Sequence, residues 1–181
     1  MCGIVGYAGS KNAVPVLLNG LYKLEYRGYD SAGVALIEDD ELKVIKTKGR
    51  ISNLDQKLQQ TEHSAHCGIG HTRWATHGEP SDINAHPHIS DNGRVALVHN
   101  GILENYLEVR DMLRQSGYTI KSQTDSEVAA HLFQMFYNGD PIDTLLELGR
   151  RLRGAYAFAI ISADRPNEMF CTRRDNPLII G

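Results

Sequence analysis

Apolar residues recur along this chain at two periods, and these predict its helices and strands. Residues 3–9 are glycine-rich and apolar, as is typical of a buried strand. Apolar positions then recur at helical spacing at Val14, Leu17, Leu18, Leu21 and Leu24. A polar loop over 26–33 follows, and residues 34–37 and 42–45 are predicted to be two strands around an acidic turn. Ser52 and Asp55 resemble a capping box that opens a short helix through residue 60.

The middle of the chain is unusual because the dipeptide Asn-Gly occurs twice. Residues 67–78 indicate a strand that runs into a loop, and Asn92-Gly93 fits a two-residue hairpin turn before a strand over 95–99. The second dipeptide, Asn100-Gly101, is followed by helical spacing at Ile102, Leu103, Tyr106, Leu107 and Leu113, as far as Gly117. A turn dipeptide where a strand changes into a helix cannot be an ordinary hairpin, so we expect a functional site there.

The last third adds two helices and two strands. One helix is expected to open at Thr124 with Glu127 three residues later, and another at Asp140 with Pro141 at its first position. Strands are expected over 154–162 and 169–173, with a turn at 165–167. Helices interspersed with hairpins indicate one α+β domain over residues 1–181. The sequence stops in an apolar run over 177–181, so we expect the domain to continue beyond it.

Composition narrows the possible functions. The net charge of −3 and the pI near 6.2 give no reason to expect nucleic acid or an anionic membrane as a partner. Three cysteines, Cys2, Cys67 and Cys171, are too few and too odd in number for a disulfide framework. No signal peptide or membrane-spanning stretch is present in the sequence. We therefore expect a cytoplasmic protein of a reducing compartment.

Cys2 directly follows the initiator methionine. Removal of Met1 would leave one residue with both a thiol and an α-amine, whose ordinary pKa of about 7.7–8.0 suits a general base. An N-terminal threonine with its own amine is a known variant of this arrangement. The alternative is that Cys2 is a buried structural residue at the start of a strand, with Met1 retained.

Four further residues could contact a substrate with charged and amide groups. Arg73 could clamp a carboxylate, although a surface salt bridge is the simpler interpretation. Asp125 could hold an ammonium group, or it could complement a helix dipole. Asn100 and Gly101 could supply a side-chain amide and a backbone N–H to one oxyanion, or they could form only a tight bend.

A metal or nucleotide cofactor is not indicated. The chain has eight histidines, including the pair His86 and His88, but no spacing matches a zinc signature. No G-x-G-x-x-G or P-loop pattern occurs. A histidine-rich metal-binding module stays a distant alternative.

Six runs of sequence together resemble the class II glutamine amidotransferases, which are N-terminal-nucleophile hydrolases. These are CGIVG at 2–6, LEYRGYDSAG at 24–33, HTRWATHG at 71–78, NAHPH at 84–88, HNGI at 99–102 and TD at 124–125. The resemblance implies a four-layer α/β/β/α sandwich, in which two mostly antiparallel sheets pack face to face with helices outside. It also implies hydrolysis of L-glutamine to glutamate and ammonia.

The resemblance implies a role for each matched residue. Cys2 would attack the glutamine amide, and Asn100 with the Gly101 N–H would stabilise the oxyanion. Arg73 would bind the substrate carboxylate and Asp125 its ammonium group. The remaining matched residues would line the pocket (Thr76, His77), gate the ammonia route (Trp74), support the nucleophile (Arg27) and belong to a substrate-responsive loop (His86).

The runs at 24–33 and 71–78 are similar to those family members that pass ammonia to sugar-phosphate isomerase domains. Those domains are missing from this sequence, and the glutaminase domain itself is expected to be incomplete. Two other interpretations stay open: a non-catalytic fragment that binds glutamine or partner domains, and the glutaminase domain of another class II amidotransferase.

Overall fold

The computed structural model describes residues 2–75 and 78–181, which form eight strands and five α-helices. The strands are β1 (Gly3–Ala8), β2 (Ser31–Glu38), β3 (Glu41–Lys48), β4 (Cys67–Arg73), β5 (His88–Ile89), β6 (Val95–Gly101), β7 (Tyr156–Ser162) and β8 (Arg165–Arg174). The helices are α1 (Ala13–Leu24), α2 (Ile51–Leu58), α3 (Tyr106–Gln115), α4 (Glu127–Phe136) and α5 (Pro141–Arg151). A single 3₁₀ turn, Glu25–Arg27, follows α1.

The strands form two antiparallel sheets of four strands each. The first has the order β1-β4-β2-β3 and the second the order β5-β6-β7-β8. One apolar cluster joins α1 and α2 to the first sheet, and another joins α3, α4 and α5 to the second. A third cluster lies between the sheets and contains many small side chains, among them Ala35, Ala96 and Ala159. The predicted four-layer α/β/β/α sandwich is therefore confirmed.

The turn between β6 and α3 differs from its prediction. Strand β6 continues through Gly101, and α3 begins only at Tyr106. Leu103 still lies fully buried in the core although it precedes the helix, which is why the helical spacing extended too far. The end of α3 is as predicted, because Gly117 adopts φ +89° and the N–H of Tyr118 donates to Leu113 O.

The helix starts were predicted with mixed success. Asp140 caps α5 through its side chain, which accepts from the N–H groups of Ile142 and Asp143, with Pro141 at the first position. The capping box at Ser52 is wrong, because α2 begins at Ile51 and has no side-chain cap. The cap at Thr124 is also wrong, because α4 begins at Glu127.

Some strand ends also need correction. The acidic turn is confirmed, with Asp39 and Asp40 both at positive φ. Strand β2 begins at Ser31, so the polar loop is shorter than expected. A hairpin between β5 and β6 is confirmed at Gly93. Its loop is longer than the predicted two residues, because the last paired positions are Ile89 and Ala96. The final turn lies at 163–164 rather than at 165–167.

Within the described residues, none of the helices is both long enough and apolar enough to cross a lipid bilayer.

One glycine fixes how closely a loop approaches the first sheet. A Cβ atom on Gly33 would collide with the backbone oxygen of His86, which cannot move without shifting its segment. A Cβ atom on Gly6 would collide only with the Met169 thioether, which is flexible.

We therefore expect Gly33→Ala to lower the free energy of unfolding by about 1–3 kcal/mol, as overpacking typically does. Gly6→Ala is the matched control, because it also adds a methyl group to a strand of the same sheet, and it should cost less. Urea unfolding of both variants measures the difference, and equal losses would contradict the close approach at His86.

Candidate active site

Cys2 lies just before β1, beside the backbone of Trp74. The Trp74 N–H donates to Cys2 Sγ at 3.3 Å, and Sγ lies 3.6 Å from Trp74 O. Pairing of β1 with β4 produces this contact, because Gly3 is opposite Thr72 and the backbone segments next to this pair run side by side. The thiol is half-buried at one end of the first sheet.

A cavity of about 1050 Å³ opens at this thiol. Five of the predicted site residues border it: Cys2, Arg27, Trp74, Asn100 and Gly101. They come from the start of β1, the end of the 3₁₀ turn, the end of β4 and the end of β6. The fold therefore brings together residues that are far apart in the sequence, and it does so across the two sheets.

Gly101 has a backbone that only glycine can adopt at this point. Its φ is +132°, and a Cβ atom would collide with the backbone oxygen of Ala155, just before β7. Both the backbone and the side chain of Asn100 have a polar partner. Its backbone oxygen accepts from Asn176 Nδ2 at 2.7 Å, and its side-chain Oδ1 lies 2.9 Å from His71 Nε2. The bend expected at this dipeptide is present, and it faces the cavity that Cys2 borders.

Arg73 is buried, with 4% of its surface exposed, so the surface salt bridge considered as its alternative does not describe it. Its Nη2 donates to Gly78 O at 3.3 Å, and its Nη1 lies 3.9 Å from Asp30 Oδ1. Asp30 also accepts the N–H of Ala75, and its own N–H donates to Arg73 O at 2.8 Å. Asp30, which was not predicted from sequence, therefore holds the chain on both sides of Trp74.

Asp125 has different surroundings from those expected at a helix start. Its Oδ2 accepts the N–H of Leu103 at 2.8 Å, and Oδ1 accepts from the Ser126 hydroxyl at 3.2 Å. These contacts join the segment before α4 to the segment after Gly101. Neither Asp125 nor Arg73 borders the cavity described above.

Arg27 borders the cavity from the 3₁₀ turn after α1, and Trp74 borders it from the segment after β4. Arg27 is half-buried and ends the 3₁₀ turn. A Cβ atom on Gly28 would collide with the Trp74 ring, so the indole packs closely on that glycine while 54% of its surface stays exposed. The two remaining predicted pocket residues, Thr76 and His77, lie outside the described residues.

Four buried histidines, His71, His86, His88 and His99, form a group beside the Asn100-Gly101 bend. The ring of His86 is 4.2 Å from that of His71 and 4.6 Å from that of His88, and its Nδ1 accepts the N–H of His99 at 3.3 Å. His86 therefore belongs to a packed cluster. Among residues 2–75 and 78–181, no three His, Cys, Asp or Glu side chains are grouped as metal ligands would be.

Burial keeps these imidazoles neutral at pH 7. It lowers the pKa of His71 and of His99 to about 4 and lowers the pKa of His86 and His88 well below the ordinary value. The site therefore contains uncharged rings that act as specific donors and acceptors. Sequence patterns gave no hint of this cluster, because its members come from three separate segments.

The comparisons with known proteins agree with this geometry. The family model "Glutamine amidotransferase domain" matches residues 71–180. The chain is 51% identical over its full length to "Glutamine--fructose-6-phosphate aminotransferase [isomerizing]" of Clostridium perfringens, and 52% identical to the protein of the same name from Aquifex aeolicus. It spans only 30% and 31% of the lengths of these two relatives.

Solved structures give the same fold. Glutamine phosphoribosylpyrophosphate amidotransferase from B. subtilis superposes with a TM-score of 0.76 at 29% identity, over 90% of this chain and 35% of that one. A structure described as the allosteric regulatory enzyme of purine biosynthesis gives 0.77 at 30% identity, over 90% of this chain and 36% of the other.

The buried histidines predict a specific pH dependence of stability. Each has a folded-state pKa below its unfolded value near 6.5, so between about pH 6.5 and 4 the unfolded chain binds more protons. Stability is then complete above pH 6.5 and is lost as the pH falls toward 4. Glu38 and Glu127, whose pKa values are lowered, add to this loss at the acidic end of the window, and Lys46, with a pKa lowered to about 8 by burial, acts above the window.

Urea unfolding at several pH values tests this. We expect His88→Gln, which keeps a hydrogen-bonding partner for the Thr124 hydroxyl but cannot titrate, to flatten the dependence of the free energy of unfolding on pH between pH 6.5 and 4. The exposed His66, changed to Gln, is the matched control and should leave the slope unaltered. If His88→Gln and His66→Gln change the pH dependence of the free energy of unfolding equally, burial is not its cause.

Proposed function

Since this chain belongs to the family of glutamine amidotransferase domains, we propose that it hydrolyses L-glutamine to glutamate and ammonia with Cys2 as the nucleophile. The observation that carries the proposal is the shared cavity, where the Cys2 thiol and the Asn100-Gly101 bend come from different sheets and border the same space. A nucleophile and an oxyanion-binding bend on one cavity are the minimum that acyl transfer requires.

The reaction would proceed in two stages. After removal of Met1, the α-amine of Cys2 would accept the thiol proton, and Sγ would attack the side-chain amide carbon. Collapse of the tetrahedral intermediate would break the C–N bond, and the proton on the amine would pass to the departing ammonia. Water would then add to the γ-glutamyl thioester, which releases glutamate and regenerates the thiol.

The oxyanion of each tetrahedral intermediate would be bound by two donors, the side-chain amide of Asn100 and the backbone N–H of Gly101. The rigid backbone at Gly101 supports this assignment, because donors that are already in place need no reorganisation when charge develops. In subtilisin, loss of one such donor lowers kcat by about 10²–10³-fold.

The α-carboxylate and the α-ammonium group of glutamine would each be bound by a side chain of opposite charge. Arg73, held by Asp30 and by Gly78 O, would bind the α-carboxylate, with Thr76 and His77 following it in the pocket wall. Asp125 would bind the α-ammonium group. The Trp74 indole would cover the reacting centre, Arg27 would support the end of the chain that carries Cys2, and His86 would support the site from behind.

The fate of the ammonia is proposed from the curated relatives. They are named as isomerizing glutamine–fructose-6-phosphate aminotransferases, and the chain spans about a third of their length. We propose that, within a longer protein of this kind, ammonia from Cys2 would be used by sugar-phosphate isomerase domains to aminate fructose 6-phosphate.

The nucleophile is tested by Cys2→Ser, with glutamate release as the measurement, on protein whose intact mass shows that Met1 is absent. We expect turnover to fall by more than about 10³-fold, because a hydroxyl is a far weaker nucleophile under the same base. Cys171→Ser is the matched control, because that thiol also borders the cavity but has no role in the proposal. Loss of activity in the control alone would contradict the assignment of Cys2.

The carboxylate clamp is tested by Arg73→Lys, which keeps the charge but not the planar fork. We expect KM for glutamine to rise about 10- to 100-fold, with kcat much less affected. The α-amide of glutamine, which lacks the carboxylate, should show little difference between the two proteins. An equal rise in KM for both substrates would show that Arg73 acts through the fold and not through the carboxylate.

A further inference from the structure

The ring of His71 makes two contacts through one nitrogen. Its Nε2 lies 3.1 Å from the backbone oxygen of His99 and 2.9 Å from the side-chain Oδ1 of Asn100. His71 is fully buried in β4, in the first sheet, and Asn100 lies in β6, in the second. This is a direct side-chain link between the sheets at the edge of the cavity.

The backbone carbonyl of His99 determines which ring nitrogen of His71 carries the proton. A carbonyl oxygen can only accept, so the nitrogen 3.1 Å from His99 O must carry the hydrogen. The second neighbour of that N–H must then also be an acceptor, which assigns the oxygen of the Asn100 carboxamide to the His71 side. The amide nitrogen of Asn100 is consequently turned away from His71.

Burial prevents the opposite arrangement. His71 Nδ1 is buried and has no hydrogen-bond partner among the described residues, so a proton there would be an unsatisfied buried donor. The pKa of His71 is lowered to about 4, mainly by burial, so the ring is neutral under ordinary conditions. One tautomer, with hydrogen on Nε2, satisfies all of these constraints.

We propose that His71 is a positioning residue for glutamine hydrolysis: its Nε2–H holds the Asn100 carboxamide by the oxygen, so that the amide N–H₂ group is presented as the oxyanion donor. This rests on the proposed function of Asn100. Without the His71 N–H, the carboxamide has no reason to prefer one of its two orientations, and in the other orientation a carbonyl oxygen faces the developing negative charge. The effect falls on the tetrahedral intermediate and hardly on bound glutamine.

Two substitutions separate the hydrogen bond from the shape of the ring. His71→Gln places a donor nitrogen near the position of Nε2, whereas His71→Leu fills the space without a donor. We expect His71→Leu to lower kcat about 10- to 100-fold with KM nearly unchanged, since only a transition-state interaction is weakened. His71→Gln should recover most of the lost rate. If kcat of His71→Gln is as low as that of His71→Leu, the proposal is overturned.

Asn100→Ala provides the decisive background. Because His71 acts through Asn100, His71→Leu should cause no further loss of kcat once the carboxamide is absent. A loss of the same size in both backgrounds would show that His71 acts through stability or another group, and would overturn the proposal. His63→Leu is the matched control. The His63 ring is hydrogen-bonded to Glu38, which ends β2 at the opposite end from Ser31, so its loss should leave kcat unchanged.

A measurement without turnover keeps this inference separate from the proposed function. The ring ¹⁵N resonances of His71 in labelled protein distinguish the two neutral tautomers and the imidazolium. We expect the neutral form with hydrogen on Nε2 at pH 7, including in Cys2→Ser, which lacks the nucleophile. Hydrogen on Nδ1, or a charged ring, would overturn the positioning role even if glutamine is hydrolysed. If the native chain proves inactive, the proposed function fails, and the tautomer still decides how Asn100 is held.

Discussion

The register between β1 and β4 is the constraint on which the rest of the site depends. Gly3 pairs with Thr72, and this places Cys2 beside the Trp74 backbone. A slip of one residue would turn every side chain of β1 to the opposite face and remove the thiol from the cavity. Strand β4 also pairs with β2, with Ser31 opposite Arg73, and so brings Asp30 to the same turn. One central strand therefore positions Cys2, the cavity wall and the buried arginine.

The second sheet contributes the Asn100-Gly101 bend, and small side chains allow the two sheets to pack closely. Ala35, Ala96 and Ala159 lie in the cluster between the sheets, where larger residues would separate the two layers. The neutral histidines pack beside the Asn100-Gly101 bend. Burial of several imidazoles weakens the fold under acid, but it also supplies donors and acceptors with a fixed direction and no charge. The contact from His71 to Asn100 joins this cluster to the Asn100-Gly101 bend.

Much of the fold could be predicted from local patterns. The amphipathic spacing of α1, the proline and aspartate that begin α5, and Gly117 after α3 are local signals that tertiary packing did not override. The wrong helix starts have a common cause. Ser52 and Thr124 both precede a carboxylate by three residues, but each carboxylate has other partners: Asp55 accepts from the Tyr22 hydroxyl, and Glu127 accepts from the N–H groups of Lys121 and Ser122.

The site was predictable where a motif coincides with a strand end. Cys2, Trp74, Asn100 and Gly101 belong to sequence runs that stand out, and the structure places them on one cavity. Asp30 and His71 lie within two of the same runs, but nothing in those runs shows that each residue is a hydrogen-bonding partner of a neighbour. That information depends on strand pairing and on sheet packing, which a single sequence does not contain.

The central claim is that Cys2 becomes acylated by glutamine. The most direct measurement is the intact mass of the protein after it is mixed with glutamine and quenched in acid within the first turnover. If Cys2 is the nucleophile, the quenched mixture contains a species heavier by one γ-glutamyl group, located on the N-terminal peptide and absent from Cys2→Ser. Glutamate release at full rate, with no adduct at any mixing time and no dependence on Cys2, would contradict it.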